Sequence, residues 1–437
     1  MKTRPASLPA LLAFVLVVSA AYLSGLASIP FHPDESTYIY TSADVEGFFR
    51  DPSSQFWKPE NEGDPLQRYR ELDAPLINYF IAGGRWFAGE MPLFTDWDWG
   101  KTWQANIQDG AMPSMHLLLA SRASVAILLP LSLFFFFLTV YRISNEFTAW
   151  ASVVLLASNA LVLLHTRRAM AEGILLFTSI LTLWSLVRIE KERWLISIPT
   201  TLAFCAKQLL APLIPVGLAA VLWRVTGLHG SRWRPIMRQV LLFSMGVFIL
   251  LAFFHPFLWG QPLQAFKAAI QARQELSAAQ IADRPEQVLN TPARKLVSMI
   301  SCLYLTSPIF AETGNYQSET HSAETAYLAN PLHTLFRSIP AGGILLILTL
   351  FGFFSGLIQA VKRGAAAQRR LILILAASIA QTLALYLLVP LPWQRYYLPL
   401  VPYSCLWIAY GIDQLRQAID RGITTRRVRK VVETNAA

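Results

Sequence analysis

The chain has 437 residues, of which 54% are apolar and 15% charged, and a mean hydropathy of +0.41, more apolar than a water-soluble domain of this length. Its formal net charge of +10 is spread in short clusters between apolar runs. That distribution argues against a nucleic-acid surface and matches the basic cytoplasmic loops of a multi-pass protein. Cys205, Cys302 and Cys405 lie in apolar sequence without metal-ligand spacing, which excludes a disulfide framework and a zinc site.

Apolar runs of about 18 to 22 residues recur, each long enough for a ~30 Å hydrocarbon core. Spanning strands would alternate polar and apolar residues instead. The pattern predicts an all-α polytopic membrane protein with about ten transmembrane helices, at 8–29, 118–141, 147–165, 169–187, 194–206, 208–224, 239–258, 340–361, 371–391 and 396–415. The run at 194–206 is short for a crossing. Lys2 and Arg4 precede the first run, which reads as an uncleaved span because it is longer than a signal-peptide core.

Basic residues assign the sides. Arg142, then Arg188, Lys191 and Arg193, then Arg224, Arg232, Arg234 and Arg238, then Lys362, Arg363, Arg369 and Arg370 all fall in alternate, cytoplasmic loops. The tail at 416–437 adds Arg416, Arg421, Arg426, Arg427, Arg429 and Lys430. Both termini are therefore expected in the cytoplasm of a plasma membrane. The acid-rich loop 30–117 and a second large loop, 259–339, are expected on the external or periplasmic face. Segments 74–87, 262–282 and 296–310 read as interfacial helices on that face. No internal repeat or linker divides the chain, so 1–437 reads as one membrane domain.

Several polar residues stand at the external membrane boundary. Asp34 and Glu35 follow the first span without a neighbouring cation, and a carboxylate at a low-dielectric boundary suits a base towards a hydroxyl. Equally, Pro33-Asp34 suits a helix entry with Asp34 as its cap. Arg168 and Glu172 are four apart, which gives either an ion pair on one helical face or an arginine for an anionic leaving group. Lys207 and Arg395 interrupt apolar hairpins on the same side, where single bases snorkel but a set of them suggests one anionic-ligand site. Arg122 is a further member or an anchor. Trp97, Trp99 and Trp103 read as an interfacial belt, with sugar stacking as a second use.

Taken in order, these segments resemble the class C glycosyltransferases, in particular the group of protein O-mannosyltransferases and lipid A aminoarabinose transferases. The likeness rests on His32-Pro33-Asp34-Glu35, Asp73-Ala74-Pro75-Leu76, Thr166-Arg167-Arg168-Ala169-Met170-Ala171-Glu172, Ala206-Lys207-Gln208 and Gln394-Arg395-Tyr396-Tyr397-Leu398-Pro399. It implies a GT-C-like bundle and an inverting transfer of a sugar from a polyprenyl-phosphate carrier to a hydroxyl of a protein, lipid or glycan. Asp34 would be the base, with Glu35 beside it. Arg167 would meet the donor phosphate, joined by Arg168, Lys207 and Arg395, while Glu172 and Asp73 would support these groups. No cofactor is expected to be required, although an acidic pair beside a phosphate gives a divalent cation a place. No nucleotide-binding fingerprint occurs, in keeping with a lipid-linked donor. A transporter or flippase of a lipid-linked or anionic substrate, or an oligosaccharide polymerase or ligase, would use outward-facing cations in similar ways.

Overall fold

The computed structural model describes residues 8–61, 63–188, 193–229, 233–311, 316–362 and 365–436, with backbone alone at 224–229, 365–367 and 423–436. Lys2, Arg4, Lys191, Arg232 and Arg363, and the side chains of Arg224, Arg426, Arg427, Arg429 and Lys430, lie outside the described residues. Among those described, every regular element is helical. In chain order they are α1 (Leu8–Ser24), α2 (Pro33–Thr41), α3 (Asp44–Arg50), α4 (Pro65–Leu72), α5 (Leu76–Ala88), α6 (Trp103–Gln108) and α7 (Met115–Ala126). Then come α8 (Leu128–Ile143), α9 (Glu146–Ala157), α10 (Ala160–His165), α11 (Glu172–Arg188), α12 (Ser197–Ala206), α13 (Leu213–His229) and α14 (Trp233–Phe254). The last are α15 (Pro262–Asp283), α16 (Pro292–Ile300), α17 (Gln317–Leu328), α18 (Ile339–Lys362), α19 (Ala365–Leu388) and α20 (Val401–Ala436).

Four stretches are long and apolar enough to cross a membrane: Met115–Ile143, Trp233–Phe254, Ile339–Lys362 and Gln368–Leu388. Leu8–Ser24, Glu146–Ala157 and Gln208–Trp223 are shorter apolar helices. This is a membrane protein.

Local chemistry divides several runs that periodicity reads as continuous. The run at 118–141 breaks at Ile127, three residues before Pro130, which has no N–H to donate to the preceding turn. The run at 147–165 breaks at Asn159, whose side chain accepts the N–H groups of Leu161 and Val162 and caps α10. The run at 169–187 becomes helical only at Glu172. Likewise, the run at 396–415 opens as a 3-10 turn, Gln394–Leu400 containing Pro399, before α20 begins, and α20 then continues through the expected basic tail to Ala436.

Several buried hydroxyls inside the apolar helices are satisfied by their own helix. Ser132, Thr139, Thr178 and Thr182 each donate to the carbonyl four residues earlier, at 2.8 Å. In hydrocarbon this keeps a polar side chain from needing a distant partner.

The central packing runs from α1 onto α8, from α8 onto α9 and α11, and from α11 onto α12, while α9 and α18 both pack on α20. A second layer pairs α5 with α7 and α15 with α4. Segments 74–87 and 262–282 are helices as expected. On α15 the apolar Leu263, Phe266 and Ile270 are exposed, whereas Arg273, Leu276, Gln280 and Asp283 face a cavity.

Glycine sets the tightest contact. A Cβ on Gly352 of α18 would stand 1.8 Å from the Trp407 carbonyl of α20, and one on Gly411 would stand 2.7 Å from the Leu348 carbonyl. The two backbones touch, as small residues allow between membrane helices. Gly352→Leu must force them apart, and a loss of about 1–3 kcal/mol or more is expected from such overpacking. A lowered midpoint of thermal unfolding in detergent checks this, with Gly343→Leu, whose Cβ would meet nothing within 4 Å, as the tolerant control.

Candidate active site

The turn after α1 decides where the first two carboxylates go. His32, not Asp34, caps α2: its Nδ1 accepts the Asp34 N–H at 3.1 Å, and the Glu35 carboxylate accepts the His32 N–H at 3.0 Å. With Pro33 as the first helical residue, this is a capping box. Asp34 is thereby freed from the capping role that its sequence context also allowed.

Glu35 turns the other way, into protein. It is 0% exposed and Arg122 1% exposed. Arg122 Nε and Nη2 donate to its two oxygens at 2.8 and 2.7 Å, and the Ala169 N–H donates to Oε1 at 2.8 Å. Arg122 Nη1 also donates to the carbonyls of Leu26 and Ile29. The pair is bidentate and nearly saturated, which makes a buried charge pair tolerable. Glu35 is thus a structural partner and does not line the cavity.

Asp34 does. It opens into a cavity of about 770 Å³ whose lining includes Thr37, Tyr38, Tyr69, Asp73, Lys207 and Arg395. Asp34 is 22% exposed and ion-paired with Arg395, itself 11% exposed. Burial alone would raise the Asp34 carboxyl, but the Arg395 guanidinium, with His32 and Lys207 beside it, outweighs burial and brings the pKa down to about 2. Arg395 sits over the rings of Trp393 and Tyr396, 5.5 and 5.9 Å from their centres, and Lys207 Nζ is 5.8 Å from the Tyr396 ring. Two cations therefore flank one aromatic ring in the cavity wall. Lys207 is bonded to the buried Glu172, which explains why Glu172 is present without itself lining the cavity.

Asp73 closes α4 and enters the same space, 33% exposed, with Arg273 of α15 at 4.0 Å. Burial pushes its carboxyl up to about 6 against the pull of Arg273. Arg273 also donates to Gln208 Oε1 at 3.1 Å.

The two neighbouring arginines are spent elsewhere. Arg168 is not helical, so it shares no face with Glu172; its Nη2 donates to the carbonyls of Pro30 and Phe310 at 3.3 Å. Arg167 donates to the Leu163 carbonyl, Tyr327 Oη and His333 Nε2 and lies over the Tyr22 and Tyr327 rings. Both are buried and lock the turn 166–171 against Phe310, Tyr327 and His333. Of the tryptophans, Trp97 and Trp103 pack at 5.1 Å and Trp99 meets Tyr316 at 5.7 Å. Trp99 and Tyr316 line the cavity.

Arg273, Arg284 and Tyr69 of the lining were not singled out from sequence. The first two lie on or just after a helix that periodicity marked only as interfacial, and the side opposite its apolar face was the available signal. Among the described residues no three His, Cys, Asp or Glu side chains come together to hold a metal.

Residues 66–260, a little under half the chain, match the family model of dolichyl-phosphate-mannose-protein mannosyltransferases. No curated protein matches by sequence. Among solved structures, the Archaeoglobus fulgidus oligosaccharyltransferase in complex with zinc and sulfate is similar, with a TM-score of 0.51 at 14% identity over 93% of this chain and 49% of that one. Its apo form gives 0.49 at 13% identity, over 94% and 52%. The archaeal oligosaccharyltransferase AglB from Archaeoglobus fulgidus, with an inhibitory peptide and a dolichol-phosphate, gives 0.45 at 12%, over 94% and 52%. The chain spans about half the length of these proteins. The fold resembles that of the Archaeoglobus fulgidus oligosaccharyltransferase. Zinc accompanies the first of these structures, so a divalent cation is compatible with the fold.

Two outcomes follow from the site. Removing one partner of the Glu35–Arg122 pair leaves a buried charge, so Glu35→Ala is expected to cost about 3–5 kcal/mol; replacing both by Leu and Met should recover much of it in the same thermal melt. Asp73 holds its proton up to about pH 6 when folded but only to its ordinary 3.8 when unfolded. Stability therefore falls as pH rises from about 4 to about 6, and the deficit is fully present above that range. Asp73→Asn should raise the melting midpoint at pH 7.5 and leave it unchanged near pH 4, by an amount limited by solvent access.

Proposed function

We propose that the chain moves a sugar from a polyprenyl-phosphate carrier to an acceptor hydroxyl. The observation that carries this reading is Asp34, an ionised carboxylate open to a large cavity, with Arg395 and Lys207 in the same wall. The description of the matched family, with its dolichyl-phosphate-mannose donor, supports the carrier chemistry.

In a single displacement, Asp34 accepts the proton of the acceptor hydroxyl while its oxygen attacks the anomeric carbon. The bond from that carbon to the phosphate oxygen breaks with inversion. The departing phosphate keeps the bonding electrons, and Arg395 and Lys207 stabilise its charge. Asp73 and Gln208 sit where they can bind sugar hydroxyls. A second cavity of about 830 Å³, lined by Leu289, Ala293, Val297 and Ile309, shares Arg284 and Trp393 with the first. Its apolar lining suits the isoprene units next to the phosphate.

The acceptor is a protein, lipid or glycan hydroxyl, and the family description favours protein. About ten helices would cross the membrane, with both termini cytoplasmic and the cavity on the external or periplasmic face, beside the acid-rich first loop. Asp34 and Asp73 are charge-paired by Arg395 and Arg273, so the transfer is read as needing no resident metal, and a chelator should leave the rate unchanged. A flippase or transporter, or a polymerase or ligase of preassembled glycans, gives no specific reason for a base at position 34.

Transfer from radiolabelled polyprenyl-phosphate sugars to membrane acceptors, compared between wild type and Asp34→Asn in nanodiscs, tests the reading. Loss of the base is expected to slow transfer by about 10²–10⁴-fold with an unchanged melting midpoint. Labelling that survives the substitution would place the base elsewhere.

A further inference from the structure

Arg395 is asked to do two things that compete. Without substrate it is the ion-pair partner of Asp34, and with substrate it is the guanidinium best placed to meet the phosphate. We propose that Arg395 is passed from Asp34 to the donor phosphate, so that docking of the lipid phosphate is itself what releases Asp34 to act as base. This inference rests on the transferase reading given above.

The backbone that carries Arg395 is held still. The side chain of the preceding residue, Gln394, is fully buried. It donates to the carbonyls of Cys302 and Ser307 at 3.3 Å and accepts the Ile309 N–H at 2.8 Å. Motion is therefore confined to the Arg395 side chain, which has the rings of Trp393 and Tyr396 on which to pivot. Its planar fork offers five N–H donors, and a phosphate takes several of them.

Lys207 stands on the same Tyr396 ring and has its own carboxylate, Glu172, buried behind it. Lys207 thus keeps its partner when a phosphate arrives. Asp34 differs: its ion pair with a guanidinium is to Arg395, leaving His32 Nδ1 at 3.9 Å when the guanidinium moves, and its carboxylate faces the space that the acceptor must enter. While that pair is intact, the carboxylate is charged but a poor proton acceptor. When the guanidinium moves to phosphate, the carboxylate loses its strongest neighbouring cation and gains a nearby anion, and both changes strengthen it as a base. The chemistry is then gated by the order of binding, donor before acceptor, and an acceptor hydroxyl arriving alone finds an inactive carboxylate.

Binding of farnesyl phosphate, a prenyl monophosphate, to the full chain in nanodiscs tests this with a double-mutant cycle on Asp34→Asn and Arg395→Gln. If the carboxylate competes for the guanidinium, Asp34→Asn abolishes transfer yet tightens farnesyl phosphate binding, by about tenfold for each 1.4 kcal/mol of competition removed. In the Arg395→Gln background the same substitution should give a much smaller gain. Simple repulsion between carboxylate and phosphate predicts the reverse, because Arg395 then screens it and the gain grows when Arg395 is absent. An equal or larger gain in the Arg395→Gln background overturns the sharing of Arg395 and leaves the transferase reading standing. A folded wild type that neither binds farnesyl phosphate nor transfers sugar overturns both. Arg395→Lys, which retains a cation but not the fork, replaces Arg395→Gln if the latter does not melt cooperatively.

Discussion

The buried pair of Glu35 and Arg122 is the interaction on which the architecture around the cavity depends. Four separate parts of the chain converge on it: the turn after α1 through the carbonyls of Leu26 and Ile29, the entry to α2 through the His32 N–H, the second apolar helix through Arg122, and the turn at Ala169. A charge pair at the membrane boundary is costly to assemble and costly to break. Here its cost is offset by four further hydrogen bonds, and the result is a fixed origin from which Asp34, one residue earlier, is aimed into the cavity.

Around that origin the protein separates carboxylates by use. Asp44 with Arg70 and Glu46 with Arg85 hold the first loop together, as Glu35 holds its root. Asp34 and Asp73 reach open space, and each meets an arginine from a distant part of the chain: Arg395 from the turn before α20, Arg273 from α15. The cations are sorted in the same way. Arg122, Arg167 and Arg168 fasten backbone carbonyls, rings and one buried carboxylate, while Lys207, Arg273 and Arg395 line the cavity.

Much of this was legible in the sequence. Helical class and membrane setting follow from apolar length and basic loops, and the order of short motifs singled out Asp34, Asp73, Lys207 and Arg395, which the fold brings to one cavity. The partners do not. Arg122 lies 87 residues from Glu35 and Arg395 lies 361 from Asp34, and no local period encodes which cation finds which anion. For that reason Glu35, Arg167 and Arg168 looked like equals of Asp34 and Lys207, although folding consumes them. The helix breaks at Ile127 and Asn159 were visible as Pro130 and as a capping residue, but apolar length alone passed over both. Arg273 and Arg284 were hidden for a different reason: their helix reads as a surface element until its opposite side is seen to roof a cavity.

The glycine contact between α18 and α20 has a consequence far from its own position. Backbones that touch at Gly352 and Gly411 cannot slide or rotate past one another, so α20 is indexed against α18 like a key in a slot. Val401, where α20 begins, directly follows the 3-10 turn that carries Arg395, and Gly411 is about 15 Å further along the helix at 1.5 Å per residue. Inheritance of function in this chain therefore has two kinds of address: residues that line the cavity, and small residues deep between helices that do not. A genetic map of lost activity would show both, and the second group would be mistaken for a ligand site if read without the packing.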